Sequence, residues 1–356
     1  MWLFGDKTIE KFCRFKKKLY LCSNSSSHAS HQNSAPGEDF EFYYLTCKMK
    51  YTKQPLTVEQ QISKLKNRKL IINNPSMAGN YLSNISYYRL RAYTYPFQDN
   101  EMLENDHKFL RNDISFEDII DLYCFDRRLR ALIFNALEKI EIALRTKIVY
   151  EYSVETSNSH WFLDRNLYFN TDKFDYIVEK MRDDVNRSEE DFIKHYQCKY
   201  SDPELPPAWM TLETLSLGNL SKLIANLDCK SATFRRISNA FGLPNSFILE
   251  NWVYALSILR NHCAHHSRIW NRRFHVNIKL PYNTIYPFIN RETLKTVRDN
   301  KLFACLSCIQ YLLNIISPNS DFKNNLVQMI ANGSRLIQLK DMGFPKQWQS
   351  FEVWNK

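Results

Sequence analysis

Apolar residues recur along most of the chain at the spacing of three and four positions that is typical of helices with one buried face. The longest such stretch opens at Ser115, which Glu117 and Asp118 follow in the first turn. A hydroxyl side chain ahead of an acidic first turn is typical of a helix N-terminus, so a long helix is predicted to begin at Ser115. Its apolar positions include Ile119, Leu122, Leu129, Leu132, Ala136, Ile140 and Ala143.

Shorter helices are predicted on both sides of this long one. Thr57, with Gln60 three residues later, has the form of a capping box and predicts a helix that begins at Thr57. Pro244 predicts a break and then a helix that begins at Asn245 or Ser246. The remaining apolar stretches predict helices over residues 77–86, 208–227, 291–316 and 321–339. The aromatic residues of the final MGFPKQW segment are expected to pack on the core.

The composition also favours helices. Only 7 of the 356 residues are glycine, and sheet-rich folds use glycine in their tight turns. Residues 24–38 are polar and low in complexity, which predicts disorder. We therefore expect residues 1–48 to be a disordered or non-native extension, with Met49 as an alternative start.

The net charge of +10 suits a polyanionic partner, and RNA, DNA and anionic membranes all qualify. No apolar run is long enough to span a bilayer, and no signal peptide is recognisable, so a cytoplasmic protein without a membrane partner is predicted. The nine cysteines are scattered and odd in number, which argues against a disulfide framework. Cys305 and Cys308 lie in an apolar helical pattern and are expected to pack in the core.

The segment ISYYRLRAYTYPF mixes arginines with tyrosines. Arg89 and Arg91 could contact phosphates while Tyr87 and Tyr88 stack on bases, as in single-strand binding. The alternative, with aromatic rings packed inward and arginines in solvent, fits the pattern equally well. On the predicted long helix, Glu138, Glu141 and Arg145 share one side, and a solvated face with a local ion pair is the simplest interpretation. A contact between that side and the segment described next is the second interpretation.

Three of the nine histidines lie within five positions in the segment from Leu256 to Phe274, LSILRNHCAHHSRIWNRRF, with arginines on both sides. A helix that begins near Ser246 would place Asn261 and His265 on its more polar face. Its apolar stripe would consist of Leu249, Trp252, Leu256, Leu259 and Cys263.

Three interpretations of this segment compete. A metal site would use His262 and His266, but the zinc-protease motif requires Glu where Cys263 stands. A structural role would have the histidines and Trp270 pack a helix end. In acid–base chemistry on an RNA phosphodiester, imidazole transfers the proton and arginine stabilises the charge on the phosphate, without a metal.

The string from Arg260 to Arg272, RNHCAHHSRIWNR, contains the R-x4-H motif and resembles the Abi-like (AbiD/AbiF) abortive-infection proteins of the HEPN ribonuclease superfamily. Matching segments run from about Met49 to Trp348. The resemblance implies an all-α, HEPN-like helical bundle with N-terminal and C-terminal helical additions. It also implies a metal-independent endoribonuclease that acts in phage defence, needs no cofactor and is restrained by a partner RNA. Arg260 and His265 would be catalytic and Asn261 supporting, while His266 is a rival because R-x5-H also fits.

These inferences divide the chain into an extension (1–48), an N-terminal helical segment with possible RNA contacts (49–112), a core with the motif (113–280) and C-terminal helices (281–356). Cleavage would leave 2′,3′-cyclic phosphate and 5′-hydroxyl ends. A homodimer is expected, because acid and base catalysis need two groups and one chain carries one clear motif. The alternative function is a non-catalytic RNA-binding component of a defence or regulatory ribonucleoprotein.

The residues expected to contact RNA are cationic or aromatic, and those around Arg89 and Arg91 are expected to lie apart from the Arg260–His265 cleft. They are Arg89, Arg91, Tyr87, Tyr88, Arg127, Arg128, Arg130, Arg268, Trp270 and Arg272.

Overall fold

The structure, a computed structural model, describes residues 52–100 and 107–355. Within these ranges the regular structure is helical, and only isolated β-bridges occur beside the helices, so the predicted all-α fold is confirmed. The expected extension 1–48 lies outside the described residues. In chain order the α-helices are α1 (Val58–Asn67), α2 (Pro75–Ile85), α3 (Tyr87–Thr94), α4 (Phe116–Thr156), α5 (Thr171–Asn186), α6 (Asp191–Lys199), α7 (Ala208–Thr214), α8 (Leu217–Asn226), α9 (Ala232–Ala240), α10 (Ser246–Ala264), α11 (Arg291–Leu294), α12 (Leu302–Ile316) and α13 (Phe322–Ala331).

Helix α4 is the central element. Ser115 caps it in a capping box with Asp118, as the sequence predicts, and the helix continues for 41 residues. It packs against α3, α7, α9, α10, α12 and α13. Its buried side includes most of the predicted apolar positions, together with three charged residues, Asp126, Arg130 and Glu141. Because α4 contacts both α3 and α10, it joins the N-terminal helices to the helix that carries the histidine segment.

The predicted starts of α1 and α10 are also confirmed. Thr57 forms the capping box of α1 with Gln60, and the Asn245 side chain caps α10. The single helix predicted over 208–227 is wrong. The chain leaves the helical conformation at Leu215, and Ser216 accepts a hydrogen bond from the Asn219 amide to start α8.

The C-terminal aromatic residues form a buried cluster around Phe303 of α12, as expected. Phe344 and Trp348 of the MGFPKQW segment lie 4.8 and 6.1 Å from the Phe303 ring centroid. Cys305 and Cys308 are buried in the same helix, which confirms their predicted core packing. None of the helices in the described part of the chain combines the length and the apolar character needed to cross a bilayer.

Candidate functional site at the end of helix α10

Helix α10 presents the histidine segment by burying one side. Its predicted apolar stripe is confirmed, since Leu249, Trp252, Leu256, Leu259 and Cys263 are all buried. Arg260 and Asn261, beside this stripe, are half-buried, whereas the His265 side chain is exposed. The helix therefore fixes the arginine end of the motif against the core and leaves the imidazole end open to solvent.

The helix ends inside the motif, in a Schellman turn. Ala264 is its last residue, His265 is the C-cap, and His266 follows in the left-handed conformation with φ 55°. The His266 amide donates to the Cys263 carbonyl at 3.1 Å, and the Ser267 amide donates to the His262 carbonyl at 2.9 Å. Glycine usually occupies the position that His266 holds here, because a side chain is strained in this conformation.

The Arg260 side chain lies against α4. Its Nε atom is 3.9 Å from a Glu141 carboxylate oxygen, and its guanidinium carbon is 5.9 Å from the centroid of the Phe134 ring. Nη1 also donates to Oδ1 of Asn261 at 3.5 Å, at the long limit for a hydrogen bond. These contacts leave about a quarter of the Arg260 side chain exposed, enough for a substrate anion to reach it.

Glu141 connects Arg260 to a second arginine. The Arg145 guanidinium pairs with the other Glu141 oxygen and donates to the Leu215 carbonyl, where α7 ends. The side chains of Glu141 and Arg145 are only about a tenth exposed, whereas Glu138 is exposed. Glu138 therefore lies on a solvated face, as the first interpretation of this helix side expects. Glu141 contacts Arg260 of the histidine segment, as the second interpretation expects.

The loop after the motif is attached to α4 through Asp126. One carboxylate oxygen accepts hydrogen bonds from the Ile269 and Trp270 amides at 3.1 and 2.8 Å. The other accepts from the Tyr93 hydroxyl at 2.7 Å and pairs with Arg130. Burial raises the pKa of the Asp126 carboxyl, and the Arg130 guanidinium opposes that shift. Asp126 thus fixes both α3 and the chain that leaves the motif.

Helix α3 contacts the motif directly. Arg89 donates from Nη1 to the His266 carbonyl at 3.0 Å, and Arg268 donates to the Ala92 carbonyl. The expectation that the region of Arg89 and Arg91 lies apart from the Arg260–His265 cleft is therefore wrong for Arg89, which bonds to the residue directly after His265. The expectation fails because two hydrogen bonds join residues far apart in the sequence, and neither local spacing nor composition reveals such bonds.

Of the ten residues expected to contact RNA, six are buried or partly buried and four are exposed. Arg130 and Trp270 are buried, Arg268 and Arg272 are partly buried, and the Arg272 Nε donates to the Arg268 carbonyl at 2.8 Å. We do not include these four in an RNA surface, because their contacts hold the loop. Partly buried Tyr87 accepts from Arg68, and partly buried Arg91 lies 3.4 Å from His107 and 5.8 Å from the Tyr95 ring. The exposed members are Tyr88, Arg89, Arg127 and Arg128.

His262 faces the interior side of the site. Burial, together with the nearby Arg272, lowers its pKa to about 4, and its ring lies 5.9 Å from that of Phe274. Exposed His275 is close enough to contribute to this shift. A neutral, partly buried imidazole beside an aromatic ring has a packing role, which agrees with the structural interpretation for this one histidine.

The proposed pair of metal ligands does not fit the structure. The helix ends at Ala264, so His262 and His266 are not on consecutive turns of one helix, as the zinc-protease spacing requires. Among the described residues, no three His, Cys, Asp or Glu side chains come together in a metal-binding arrangement.

Sequence reasoning missed two residues that shape the site. Phe134 supports Arg260, and Asp126 holds the loop. A signal existed for Asp126, because it occupies the apolar face of α4 four residues after Leu122 and three before Leu129. An acidic residue at such a position requires buried partners.

The fold and the site define an all-α protein with an arginine and an exposed histidine at one helix end. A sequence model of the family described as Abi-like protein matches residues 80–271, more than half of the chain. The chain therefore belongs to the Abi-like protein family, which confirms the resemblance to Abi-like proteins. No curated protein and no solved structure gives a match.

Proposed function

We propose that the protein is a metal-independent endoribonuclease of the HEPN type that acts in phage defence. The observation that carries the proposal is the arrangement at the end of α10. Arg260 is fixed by Glu141 and Phe134 but remains partly exposed, and the exposed His265 follows at the C-cap of the same helix. A cation that is oriented by the protein, five residues before an accessible imidazole at the same helix end, suits a substrate that is both anionic and in need of proton transfer.

RNA provides the nucleophile for this reaction. A neutral imidazole takes the proton of the 2′-hydroxyl, the 2′-oxygen attacks phosphorus, and the bond to the 5′-oxygen breaks. A protonated group then gives the leaving 5′-oxygen its proton, and the products are a 2′,3′-cyclic phosphate and a 5′-hydroxyl. Arg260 stabilises the negative charge on the phosphate oxygens, with Asn261 beside it as a hydrogen-bonding group.

A homodimer would supply the second proton-transfer group from a second copy of the motif. The outward face of α10 supports this proposal. Phe247 and Tyr254 are 52% and 48% exposed, and at 100° per residue they lie on the same side of the helix as Asn261 and His265. Exposed apolar residues in line with the motif favour contact with another protein surface at this position.

The partner RNA that is expected to restrain the enzyme would bind through exposed cations. Arg127 and Arg128 directly follow Asp126 on α4 and are exposed, and Tyr88, 71% exposed, offers a ring for stacking on α3. With the net charge of +10, these groups favour a polyanion held by many phosphate contacts.

The proposal is tested by incubating purified protein with a short single-stranded RNA in excess EDTA and analysing the new 3′ ends. We expect cleavage with 2′,3′-cyclic phosphate ends, no cleavage of the all-DNA analogue, and loss of cleavage in His265→Ala. His195→Ala removes an exposed histidine of α6 and should retain full activity.

Three outcomes would contradict the proposal in different ways. Activity that EDTA abolishes and zinc or manganese restores would indicate a metal enzyme. Unchanged cleavage in both His265→Ala and His266→Ala would exclude the motif histidines. RNA binding without cleavage would favour the non-catalytic ribonucleoprotein component.

A further inference from the structure

We propose that Arg89 is a positioning residue that holds the turn from which His265 projects, which makes α3 a part of the candidate site. This inference rests on the proposed nuclease function. Arg89 reaches the motif from a different helix, donating from Nη1 to the His266 carbonyl at 3.0 Å. It would act through the backbone and need not touch the RNA.

The His265 side chain depends on its backbone for its position. In the described part of the chain its imidazole makes no hydrogen bond or ion pair, and the residue is exposed. A general acid or base must lie within hydrogen-bond reach of its proton, so its orientation affects the rate strongly. Where no neighbouring side chain orients the ring, the backbone of the turn sets the direction of the Cα–Cβ bond and so the space that the ring can reach.

That turn is strained and needs support. His266 has φ 55°, a backbone conformation that residues other than glycine rarely adopt unless the surroundings stabilise it. The surroundings supply two cationic donors to consecutive carbonyls, Arg89 to His266 and Arg130, at 3.3 Å, to Ser267. Arg130 is buried in the Asp126 pair, so Arg89 is the exposed member of the two.

The link between α3 and the turn runs in both directions. Arg268 donates back to the Ala92 carbonyl, one turn along α3 from Arg89. Two such bonds fix both the distance and the rotation of α3 relative to the motif. The stretch that matches the family, residues 80–271, begins before α3 and ends after Arg268, so it contains both partners of both bonds.

The competing interpretation is that Arg89 binds an RNA phosphate, since its guanidinium keeps further donors after bonding one carbonyl. The two roles differ in their kinetics. A phosphate ligand contributes to substrate affinity and to the dependence of binding on salt, whereas a positioning residue contributes to the rate of the chemical step.

The experiment compares Arg89→Ala and Arg89→Lys with Arg235→Ala, which removes an exposed arginine of α9 and the same charge. Initial rates on a short single-stranded RNA are measured at several salt concentrations. For Arg89→Ala we expect kcat to fall on the order of tenfold to a hundredfold, with KM and its salt dependence within about twofold of the wild type. Arg89→Lys should recover most of kcat, because it keeps an N–H donor on a chain of similar length. Arg235→Ala should match the wild type.

A rise in KM with a weaker salt dependence in Arg89→Ala would overturn the proposal and indicate a phosphate ligand. Unchanged kcat and KM would overturn it as well. If the wild type does not cleave RNA, the proposed function fails by itself, and histidine-selective NMR then tests the positioning role. The imidazole signals of His265 and His266 should shift in Arg89→Ala and not in Arg235→Ala; signals that stay unchanged in Arg89→Ala would overturn it.

Discussion

Oε2 of Glu141 lies 3.9 Å from Nε of Arg260, so the motif arginine forms an ion pair with the central helix α4. Because its other oxygen pairs with Arg145, Glu141 cannot turn away from Arg260 without breaking a largely buried ion pair. A guanidinium that is oriented in advance loses little further freedom when an anion binds. We therefore infer that Glu141, like Arg89, positions a group of the motif.

Glu141→Gln should reduce cleavage at least tenfold. The amide keeps the shape of the side chain but removes the charge that orients Arg260 and pairs with Arg145. Leaving Arg145 without its main partner should also lower the free energy of unfolding by about 1–3 kcal/mol. The measurements are kcat with a short RNA and denaturant unfolding. Glu138→Gln is the matched control, because Glu138 is exposed on the same helix. Equal activity in the two variants would refute the orienting role.

His266→Gly should keep full activity, whereas His265→Ala should lose it. Glycine adopts the left-handed conformation of residue 266 without strain, which lowers the free energy of the folded state. Glycine also makes the unfolded chain more flexible, which offsets part of this stabilisation. The net effect on the free energy of unfolding should lie between zero and about 1 kcal/mol of stabilisation. Thermal unfolding and RNA cleavage test both parts. Loss of cleavage in a folded His266→Gly variant would make His266 the catalytic imidazole.

Stability should depend on pH through His262. Its pKa is lowered to about 4 in the folded protein, whereas an unfolded histidine titrates near pH 6.5. The unfolded chain therefore binds a proton in this window that the folded protein does not bind. The contribution of His262 to stability is fully present above pH 6.5 and is lost as the pH falls toward 4.

The difference in the free energy of unfolding between the wild type and His262→Gln, measured from pH 4 to 7.5, isolates this effect. We expect the free energy of unfolding of the wild type to decrease relative to that of His262→Gln as the pH falls. His195→Gln, at an exposed site, should follow the wild type at every pH. A difference that does not change with pH would mean that the pKa of His262 is the same in the folded and the unfolded protein.

Arg127→Glu with Arg128→Glu should weaken binding of structured RNA and reduce its dependence on salt. Both side chains are exposed, and each phosphate that the protein no longer neutralises lowers the slope of log K against log salt by about one. Titrations at several salt concentrations give this slope. Lys230→Glu with Arg235→Glu, at two exposed positions, is the control and changes the net charge by the same amount. An unchanged slope in the double variant would assign Arg127 and Arg128 to solvated surface.

Local sequence signals predicted the starts of α1, α4 and α10, the last of which carries the motif. Capping residues such as Thr57, Ser115 and Asn245 act within one turn, so their effect can be read from neighbouring letters. The same holds for the buried stripe of α10, which requires only a periodicity of 3.6 residues. The break at Leu215 was not predictable in this way, because apolar periodicity continues across it.

Most side-chain contacts of the site could not be predicted, because they depend on distant partners. Arg89 and Asp126 reach the turn and the loop after the motif from other helices. The contact of Glu141 with the motif helix was only one of two interpretations that the sequence allowed. The left-handed conformation of His266 was hidden as well, because glycine, its usual sign, is missing. Family resemblance identified the motif but not the residues that hold it.

The bonds made by α3 bear on where the chain can be cut for laboratory study. A fragment that begins at residue 113 would contain Arg260 and His265 but would lack Arg89, the Ala92 carbonyl and Tyr93. Asp126 would lose its hydroxyl donor, and the partly buried Arg268 guanidinium would lose its acceptor on Ala92. The shortest fragment that keeps all the bonds of the motif loop therefore has to start before α3, so limited proteolysis between α3 and α4 should inactivate the protein if the two pieces separate.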